Sequence, residues 1–402
     1  MEDMKGMGGL TNGLIFSLPA AMNQLAAPAA SLFLKKFSRK VVGSIGGVIA
    51  GVGFMLMGLI ATEAIHYIAL ALLAGIGFGL SNFTAVVCLH EVAGDSFPSL
   101  MAIATLGSYT GVTVIPYMLH SFLELHGLNA SFIFFGLLCC QIIPFGLFLP
   151  NSLPKEQGIS LKRTLSKDEI RAEEEVLSNE INEPLLNSTS TNSAIPASSD
   201  IPESCWNMFV PETKHLFIYL YIIISGLRRL PSGTWTLFLI PYVRENGLSV
   251  DQSILAGTLG GVGGVVGRLL AAVSFKLRRP RPIVTLAFYF LISGLVFLGF
   301  ELHSSINAQL LFSFLSGLLI STSSGMVTGV LGLLVEDEHF KGALTFLEIS
   351  TGVFSLISGP LAGFGFDVMH SFSVNFRVNA LIYVICALSM LLIASLRGQI
   401  DN

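Results

Sequence analysis

The stretch that decides the fold reads ILAGTLGGVGGVVGRLLAAVSF and occupies residues 254–275. It is apolar and rich in glycine over a length that can cross a bilayer, for which a helix needs about 20 residues. Its one charge is Arg268. An arginine at that depth costs about 2.5 kcal/mol or more unless a protein group, cavity water or an anionic ligand meets it. The stretch therefore predicts a membrane helix whose arginine meets an anion.

The composition of the whole chain indicates a membrane protein built from helices. Of its 402 residues, 52% are hydrophobic and 12% are charged, whereas soluble domains have roughly 45–50% apolar and roughly 25% charged residues. Inside lipid every backbone polar group must be bonded within the protein, and a helix satisfies this within one segment. We therefore predict an all-α polytopic membrane protein that has the lipid bilayer as one partner.

No residue pattern in the sequence indicates an enzyme, a metal site or a bound cofactor. The histidines are scattered, without the spacing of a metal or hydrolytic site. The five cysteines have no spacing typical of a disulfide framework, and we interpret them as packing residues. We therefore predict no enzymatic activity, no cofactor and no nucleic-acid partner.

Eleven stretches are apolar for long enough to cross a membrane as helices. They form a block of five and a block of six around a polar segment rich in Ser, Thr, Asn and Pro, which is the profile of a mobile linker. We expect a first helical half at 1–149, a cytoplasmic linker at 150–213 and a second helical half at 214–402. The predicted spans are residues 14–34, 41–61, 67–89, 100–119, 132–149, 216–241, 254–275, 283–300, 308–335, 343–366 and 378–396.

Basic residues favour one side of the membrane in this topology. The short loop with Lys36, Arg39 and Lys40 lies on the same side as the loop that begins at Lys276 and as the basic residues of the linker. Short loops rich in Lys and Arg stay cytoplasmic. We therefore expect the linker and the C-terminus in the cytoplasm, the N-terminus outside, and the protein in the plasma membrane.

The two helical halves look like copies of one unit. The basic loop at Lys35 recurs at Lys276, and the glycine-rich span that contains Pro116 recurs as the span that contains Pro360. Parallel repeats of this kind are typical of transporters built from two six-helix halves. The same offset applied to the span 216–241 leads to positions at or before residue 1. We therefore expect that the first half lacks its first helix in this chain.

Several short motifs follow one another in an order that resembles a transporter family. They include the basic loop, a glycine-proline span, the text from Glu245 to Arg268, and the span with Pro360. The matching positions are Ser31, Lys35, Lys36, Phe37, Ser38, Arg39, Lys40, Ala102, Gly107, Gly111, Pro116, His126, Gly127, Glu245, Asn246, Gly247, Leu248, Ser249, Leu255, Val266, Gly267, Arg268, Glu348, Gly359, Pro360, Gly363 and Asp367. The chain resembles the major facilitator superfamily and, within it, the monocarboxylate transporter-like branch. The resemblance covers nearly all of the chain outside the linker.

The main expectation about the site comes from the eighth helix of this family, which corresponds to the stretch that contains Arg268. Proton-coupled members have an Asp one helical turn before its Arg, and that position is Gly264 here. The first-helix lysine that those members use would lie in the missing helix. The resemblance thus implies that Arg268 binds a substrate carboxylate, without the usual proton relay. The alternative is a structural arginine bonded to helix carbonyls or to a neighbouring carboxylate.

Two further arginines, Arg228 and Arg229, lie near the middle of the predicted span 216–241. Adjacent residues on a helix are about 100° apart, so at most one of them points squarely into a cavity. Pro231 and Gly233 follow, and we expect a gating break of the helix there. Either arginine is a candidate for substrate contact; the alternative is a salt bridge or a side chain that extends to the membrane surface.

Three other polar residues are candidates for the central cavity. Glu348 is the only carboxylate well inside a span of the second half, and it is a candidate charge partner for an arginine or a candidate proton carrier. Asn82 and Tyr109 lie on spans that line or flank the cavity in this fold, and hydrogen bonding between helices explains them equally well.

The glycines of residues 254–275 form overlapping pairs of small residues four apart, which let helices pack closely. We assign Gly257, Gly261 and Gly264 to such packing or to gating, together with Pro231 and Pro360. They do not form a phosphate-binding loop, because no Lys-Ser/Thr pair follows them.

These expectations combine into one function. We predict facilitated or secondary transport of a small organic anion, such as a monocarboxylate, by alternating access, so that the anion is the main partner. A single-span accessory subunit is a further candidate partner. The alternative is a membrane protein of the same fold that does not transport, as a truncated or regulatory form.

Overall fold

The structure is a computed structural model that describes residues 9–60, 64–150, 213–277, 281–303 and 305–400. The predicted linker therefore lies almost wholly outside the described residues, together with its acidic and basic clusters. The same holds for Arg278 and Arg279 of the second basic loop and for Cys205.

The described residues are helical, and no strand occurs among them. A short 3-10 turn at Gly94–Ser96 joins two of the helices. The helices are α1 (Gly9–Leu25), α2 (Ala27–Lys36), α3 (Arg39–Ile60), α4 (Ala64–Ala93), α5 (Phe97–Ala104), α6 (Leu106–Cys140), α7 (Ile142–Phe148), α8 (Thr213–Leu227), α9 (Arg229–Glu245), α10 (Val250–Lys276), α11 (Pro282–Leu302), α12 (Ile306–Leu334), α13 (Asp337–Met369) and α14 (Ser373–Ile400).

The predicted all-α membrane architecture is confirmed, whereas the number of crossings stays a prediction. Eight helical stretches of the described residues are long and apolar enough to cross a membrane. The predicted spans 67–89 and 100–119 both overlap one of them, Ile68–Ile115. The predicted spans 100–119 and 132–149 are joined through α6, which bends at Gly127 with a φ of 78°. Such a φ favours glycine because it has no Cβ.

The predicted span 216–241 is interrupted in its hydrogen bonding one turn earlier than expected, while Arg228 at the junction keeps helical backbone angles (φ −52°, ψ −24°). α8 ends at Leu227 and α9 begins at Arg229. Proline has no N–H, so Pro231 cannot donate to the carbonyl of Leu227 four residues before it. The following bond, from the Ser232 N–H to the Arg228 carbonyl, is stretched to 3.5 Å. Pro231 lies in the first turn of α9, where a missing N–H is tolerated.

The contact between α1 and α13 joins the first half to the second and is among the most extensive in the described structure. Glycines let the two backbones touch, since a Cβ placed on Gly359 would lie 2.0 Å from the carbonyl oxygen of Gly13. At the beginning of α1, the Asp367 carboxylate accepts hydrogen bonds from the N–H groups of Gly9 at 2.7 Å and Leu10 at 3.0 Å. These bonds satisfy donors that a helix terminus otherwise leaves unpaired.

Pro360 lies inside α13, and the helix continues through it. The proline leaves the Leu356 carbonyl without its donor within the helix. The Ser17 hydroxyl of α1 donates to that carbonyl at 3.1 Å. The other half of the molecule thus supplies the bond that the proline removes, and Pro360 is a packing position at this interface.

α10 packs on α12 through glycines, and hydrogen bonds fix its rotation about its own axis. A Cβ on Gly317 would lie 1.9 Å from the carbonyl oxygen of Gly260. The Ser321 hydroxyl donates to the Gly264 carbonyl at 2.6 Å, and the Thr322 hydroxyl donates to the Gly267 carbonyl at 3.0 Å. Both bonds lie in the helical turn that precedes Arg268, so α12 fixes the rotation of α10 next to this residue.

A second contact between the halves lies where α4 and α5 meet α12 and α13. The His90 ring stacks on Phe340 with centroids 3.6 Å apart, and Phe97 contacts Phe340 edge-on. The nearby basic loop is tied to α4 by an ion pair between Arg39 and Glu91. Of the other two predicted loop cations, Lys36 is exposed and Lys40 is half-buried.

Helices of the two predicted halves pair with each other, while the repeat itself stays a prediction. α1 meets α13, and α10 meets α5 and α6. The exact limits of the two halves stay a prediction. The expected counterpart of α8 and α9 would precede residue 1 and so lies outside the described residues.

Candidate functional site

The break between α8 and α9 places two adjacent arginines inside the protein. Arg228 is 3% exposed. Arg229 is half-buried. Arg228 keeps helical backbone angles (φ −52°, ψ −24°) and its N–H donates to the Ile224 carbonyl at 3.1 Å, so the two side chains still diverge by about 100°.

Arg268 is 7% exposed and lies on the segment of α10 that the α12 hydroxyls hold. Its guanidinium carbon is 5.2 Å from the centroid of the Tyr109 ring, a cation–π contact with α6. On the α12 side, the guanidinium of Arg268 packs against Gly325. A larger residue would not fit there, because a Cβ at position 325 would lie 2.8 Å from Arg268 Nη1. Arg268 therefore lies between the two halves of the molecule.

Gly264 explains how Tyr109 reaches Arg268. A Cβ on Gly264 would lie 2.0 Å from Cδ1 of the Tyr109 ring. The position where proton-coupled relatives are expected to have an aspartate is thus filled by a tyrosine from the other half. Gly261 similarly admits Thr113 of α6, whereas Gly257 leaves an ordinary 3.6 Å contact with Ile240.

The arginines and Glu348 belong to one electrostatic cluster. The charge of Arg268 interacts with those of Arg228 and Arg229, and Glu348 of α13 interacts with Arg229 and Arg228. Glu348 is half-buried, like Arg229. Within the described ranges, no carboxylate lies within ion-pair distance of any of the three guanidiniums.

Several donors of this cluster have no acceptor. Among the described residues, the buried Nε atoms of Arg228, Arg229 and Arg268 have no hydrogen-bond partner, and neither has Nη1 of Arg228. The same is true of Trp235 Nε1 on α9 and of the Tyr383 hydroxyl on α14. A buried donor without an acceptor costs about 1–3 kcal/mol, so an anion that reaches these groups is strongly stabilised.

Tyr383 is a site residue that the sequence analysis missed. It is fully buried, and its hydroxyl interacts electrostatically with Arg228 and Arg229. The available signal was a polar aromatic residue in the middle of an apolar span, which is weak because tyrosines also occur in cores.

Asn82 lies elsewhere. It is exposed and lines a cavity of about 360 Å³ in the first half, between α1, α3, α4 and α7. The Asn23 and Ser81 side chains also line it, and none of the three arginines does. Of the predicted substrate residues, the structure thus groups Arg228, Arg229, Arg268 and Tyr109, together with Glu348, and separates Asn82 from them.

A comparison with known proteins agrees with this architecture. The family model described as Major Facilitator Superfamily matches residues 4–298, more than half of the chain. The chain belongs to this superfamily. Its members are membrane transporters and not enzymes, which confirms the predicted family and the predicted absence of enzymatic activity.

Two curated relatives to which the chain is similar are monocarboxylate transporters. Monocarboxylate transporter 6 of Mus musculus is 23% identical over 377 residues, which cover 90% of this chain and 74% of that protein. Monocarboxylate transporter 12-B of Danio rerio is 21% identical over 389 residues, which cover 95% of this chain and 79% of that protein.

Solved structures share the fold. The transporter FucP in its outward conformation superposes with a TM-score of 0.63 at 15% identity, covering 95% of this chain and 90% of FucP. The human organic anion transporter MFSD10 gives a TM-score of 0.63 at 15% identity, covering 94% of this chain and 83% of that structure. At such low identity the likeness concerns the fold alone.

Proposed function

We propose that this protein carries a small organic anion across the plasma membrane by alternating access, with Arg268 binding a carboxylate of the substrate. The observation that supports this most strongly is the set of buried guanidinium donors without acceptors. Arginine presents its N–H groups in a planar fork that fits a carboxylate with two parallel bonds. Guanidinium donors that have no acceptor within the protein are free to bind an anionic substrate and to release it again.

A purely structural role explains the cluster less well. A structural arginine in a membrane protein is bonded to carbonyls or paired with a carboxylate. Here one carboxylate, that of Glu348, interacts with Arg228 and Arg229, and the Nε atoms of all three arginines remain without partners in the described part of the chain. The cost of burying them is explained if the substrate supplies the missing acceptors.

The location of Arg268 supports a transport cycle. It lies on α10 of the second half and contacts Tyr109 of the first. A substrate held there contacts both halves, so its binding can bias how they rock against each other. The names of the relatives, monocarboxylate transporters and an organic anion transporter, agree with an anionic substrate. The basic loop at Lys36, Arg39 and Lys40 supports a cytoplasmic position for that side.

The first prediction concerns Arg268. We expect Arg268→Ala to abolish uptake while surface delivery stays normal, because the variant removes the carboxylate-binding fork without adding bulk. Arg268→Lys should recover little, since an ammonium cannot make the same two-point contact. The measurement is uptake of labelled lactate, butyrate and succinate by cells with equal surface amounts of each variant.

Arg244→Ala is the matched control, because Arg244 is exposed in the last turn of α9. It should leave uptake unchanged. Full uptake by a well-delivered Arg268→Ala protein would show that Arg268 does not bind the substrate.

A further inference from the structure

The charges of the cluster formed by Arg228, Arg229, Arg268 and Glu348 specify the substrate more narrowly than a small organic anion. We infer that the substrate is a short dicarboxylate, a dianion whose two carboxylates meet the arginines of α10 and of the α8–α9 break. This inference rests on the proposed function, because it specifies the ligand of the same site.

The count of buried charges leads to this inference. Arg228 and Arg229 interact with one carboxylate, that of Glu348, and Arg268 interacts with those two arginines. All three guanidiniums stay protonated in proteins. The cluster therefore carries at least two uncompensated positive charges. Buried charges are normally paired, since an unpaired one is costly in a medium of low dielectric constant.

No other described carboxylate is placed to neutralise the cluster. Five acidic residues lie near helix ends and have other partners. Asp367 caps α1, Glu301 pairs with Arg377, Glu91 pairs with Arg39, Asp337 faces His90, and Glu245 accepts from the Phe372 N–H.

Helix dipoles do not supply the missing negative charge. The C-terminal end of a helix carries about half a negative charge, and the N-terminal end about half a positive charge. At Arg228 the end of α8 meets the beginning of α9 directly, so the two partial charges largely cancel. The Tyr109 ring stabilises Arg268 through its quadrupole but carries no net charge.

A monocarboxylate would leave at least one positive charge without a partner, whereas a dianion completes the balance. The arrangement also favours two separate acidic groups over one. Arg268 belongs to α10, and Arg228 and Arg229 belong to the α8–α9 break. A chain with a carboxylate at each end can meet both elements at once, and each carboxylate can accept the paired bonds of a guanidinium.

The test compares three labelled probes that share a four-carbon acid skeleton, at neutral pH, in cells that express the unmodified chain. Succinate carries two charges, monomethyl succinate keeps its length with one charge, and butyrate has one charge without the ester. We expect succinate uptake to exceed that of both monoanions by at least about tenfold, the factor that about 1.4 kcal/mol produces.

Charge variants at the site test the same inference independently of absolute activity. Arg229→Gln should lower the ratio of succinate uptake to monomethyl succinate uptake several-fold, because it removes one positive charge. Glu348→Gln should raise that ratio, because it removes the one negative charge. Arg244→Gln, at an exposed position, should leave the ratio unchanged.

The outcomes separate this inference from the proposed function. Uptake of the monoanions at rates equal to or above that of succinate would overturn the dicarboxylate inference and leave anion transport standing. Absence of uptake for all three probes, with the protein at the cell surface, would overturn both. A succinate preference that responds to Arg229→Gln and Glu348→Gln in opposite directions would support the inference.

Discussion

At the scale of single residues, the site depends on a glycine that makes room for a tyrosine. Gly264 has no Cβ, and the Tyr109 ring of the other half occupies the space that a Cβ would need. The ring is thereby held beside the Arg268 guanidinium. An acidic side chain at position 264 would displace this tyrosine. The aspartate that is expected there in proton-coupled members and the Tyr109 ring therefore exclude each other.

This arrangement predicts the effect of one added methyl group. Gly264→Ala should lower uptake at least about tenfold and destabilise the protein by about 1–3 kcal/mol, the usual cost of overpacking. Gly257→Ala is the matched control on the same helix, because its Cβ would meet Ile240 at an ordinary 3.6 Å. The measurements are uptake and the melting temperature of the purified protein in detergent.

A second substitution shows whether Tyr109 is the cause. Gly264→Ala combined with Tyr109→Ala should recover the melting temperature, since the clash is gone, but it should not recover uptake. Equal behaviour of Gly264→Ala and Gly257→Ala would contradict the packing account.

At the scale of elements, the break between α8 and α9 brings Arg228 and Arg229 to the site. Pro231 causes it, because the Leu227 carbonyl lacks a donor. Arg228 keeps helical φ and ψ, so the two arginines still diverge by about 100°. The hydrogen bond that Pro231 removes weakens the helix at this point, and a weakened helix is able to bend during transport.

Pro231→Ala should therefore mend the helix and impair transport. The alanine supplies the missing N–H and a high helix propensity, so we expect a melting temperature several degrees higher and uptake reduced several-fold. Pro241→Ala, an exposed proline further along the same helix, is the control and should leave uptake near normal. A more stable Pro231→Ala protein with unchanged uptake would mean that transport does not use the break.

At the scale of the whole molecule, α1 and α13 hold the two halves together with their backbones in contact. Gly13 faces Gly359, and Ser17 satisfies the carbonyl that Pro360 leaves free. The α6 face that carries Gly107 and Gly111 is different. Nothing in the described structure lies within 4 Å of a Cβ on Gly107, and a Cβ on Gly111 would meet only Ile115 of its own helix.

Two glycine substitutions should consequently have different effects on the stability of the protein. Gly359→Ala should lower the melting temperature and uptake, because the Cβ would meet the Gly13 backbone at 2.0 Å and backbone cannot move aside cheaply. Gly107→Ala should be neutral or stabilising by up to about 1 kcal/mol, the helix-propensity difference between the two residues. Both are measured by thermal unfolding in detergent. If Gly107→Ala is as damaging as Gly359→Ala, another segment packs on that α6 face.

The sequence by itself determined the class of fold and the candidate residues of the site. Apolar stretches of membrane length and charges within them are local properties, so they predicted a helical membrane protein and singled out Arg268, Arg228, Arg229 and Glu348. The order of motifs added the transporter family.

Only the tertiary structure decided which residues lie together and which groups act as their neighbours. Tyr109 fills the space at Gly264, and the Ser17 hydroxyl donates to the Leu356 carbonyl. Tyr383 lies with the arginines, whereas Asn82 lines a different cavity. Each of these facts joins residues that are far apart in the chain. Hydropathy and periodicity report which face of a helix is apolar, whereas the partner of a buried polar group depends on which helices pack together and at what rotation.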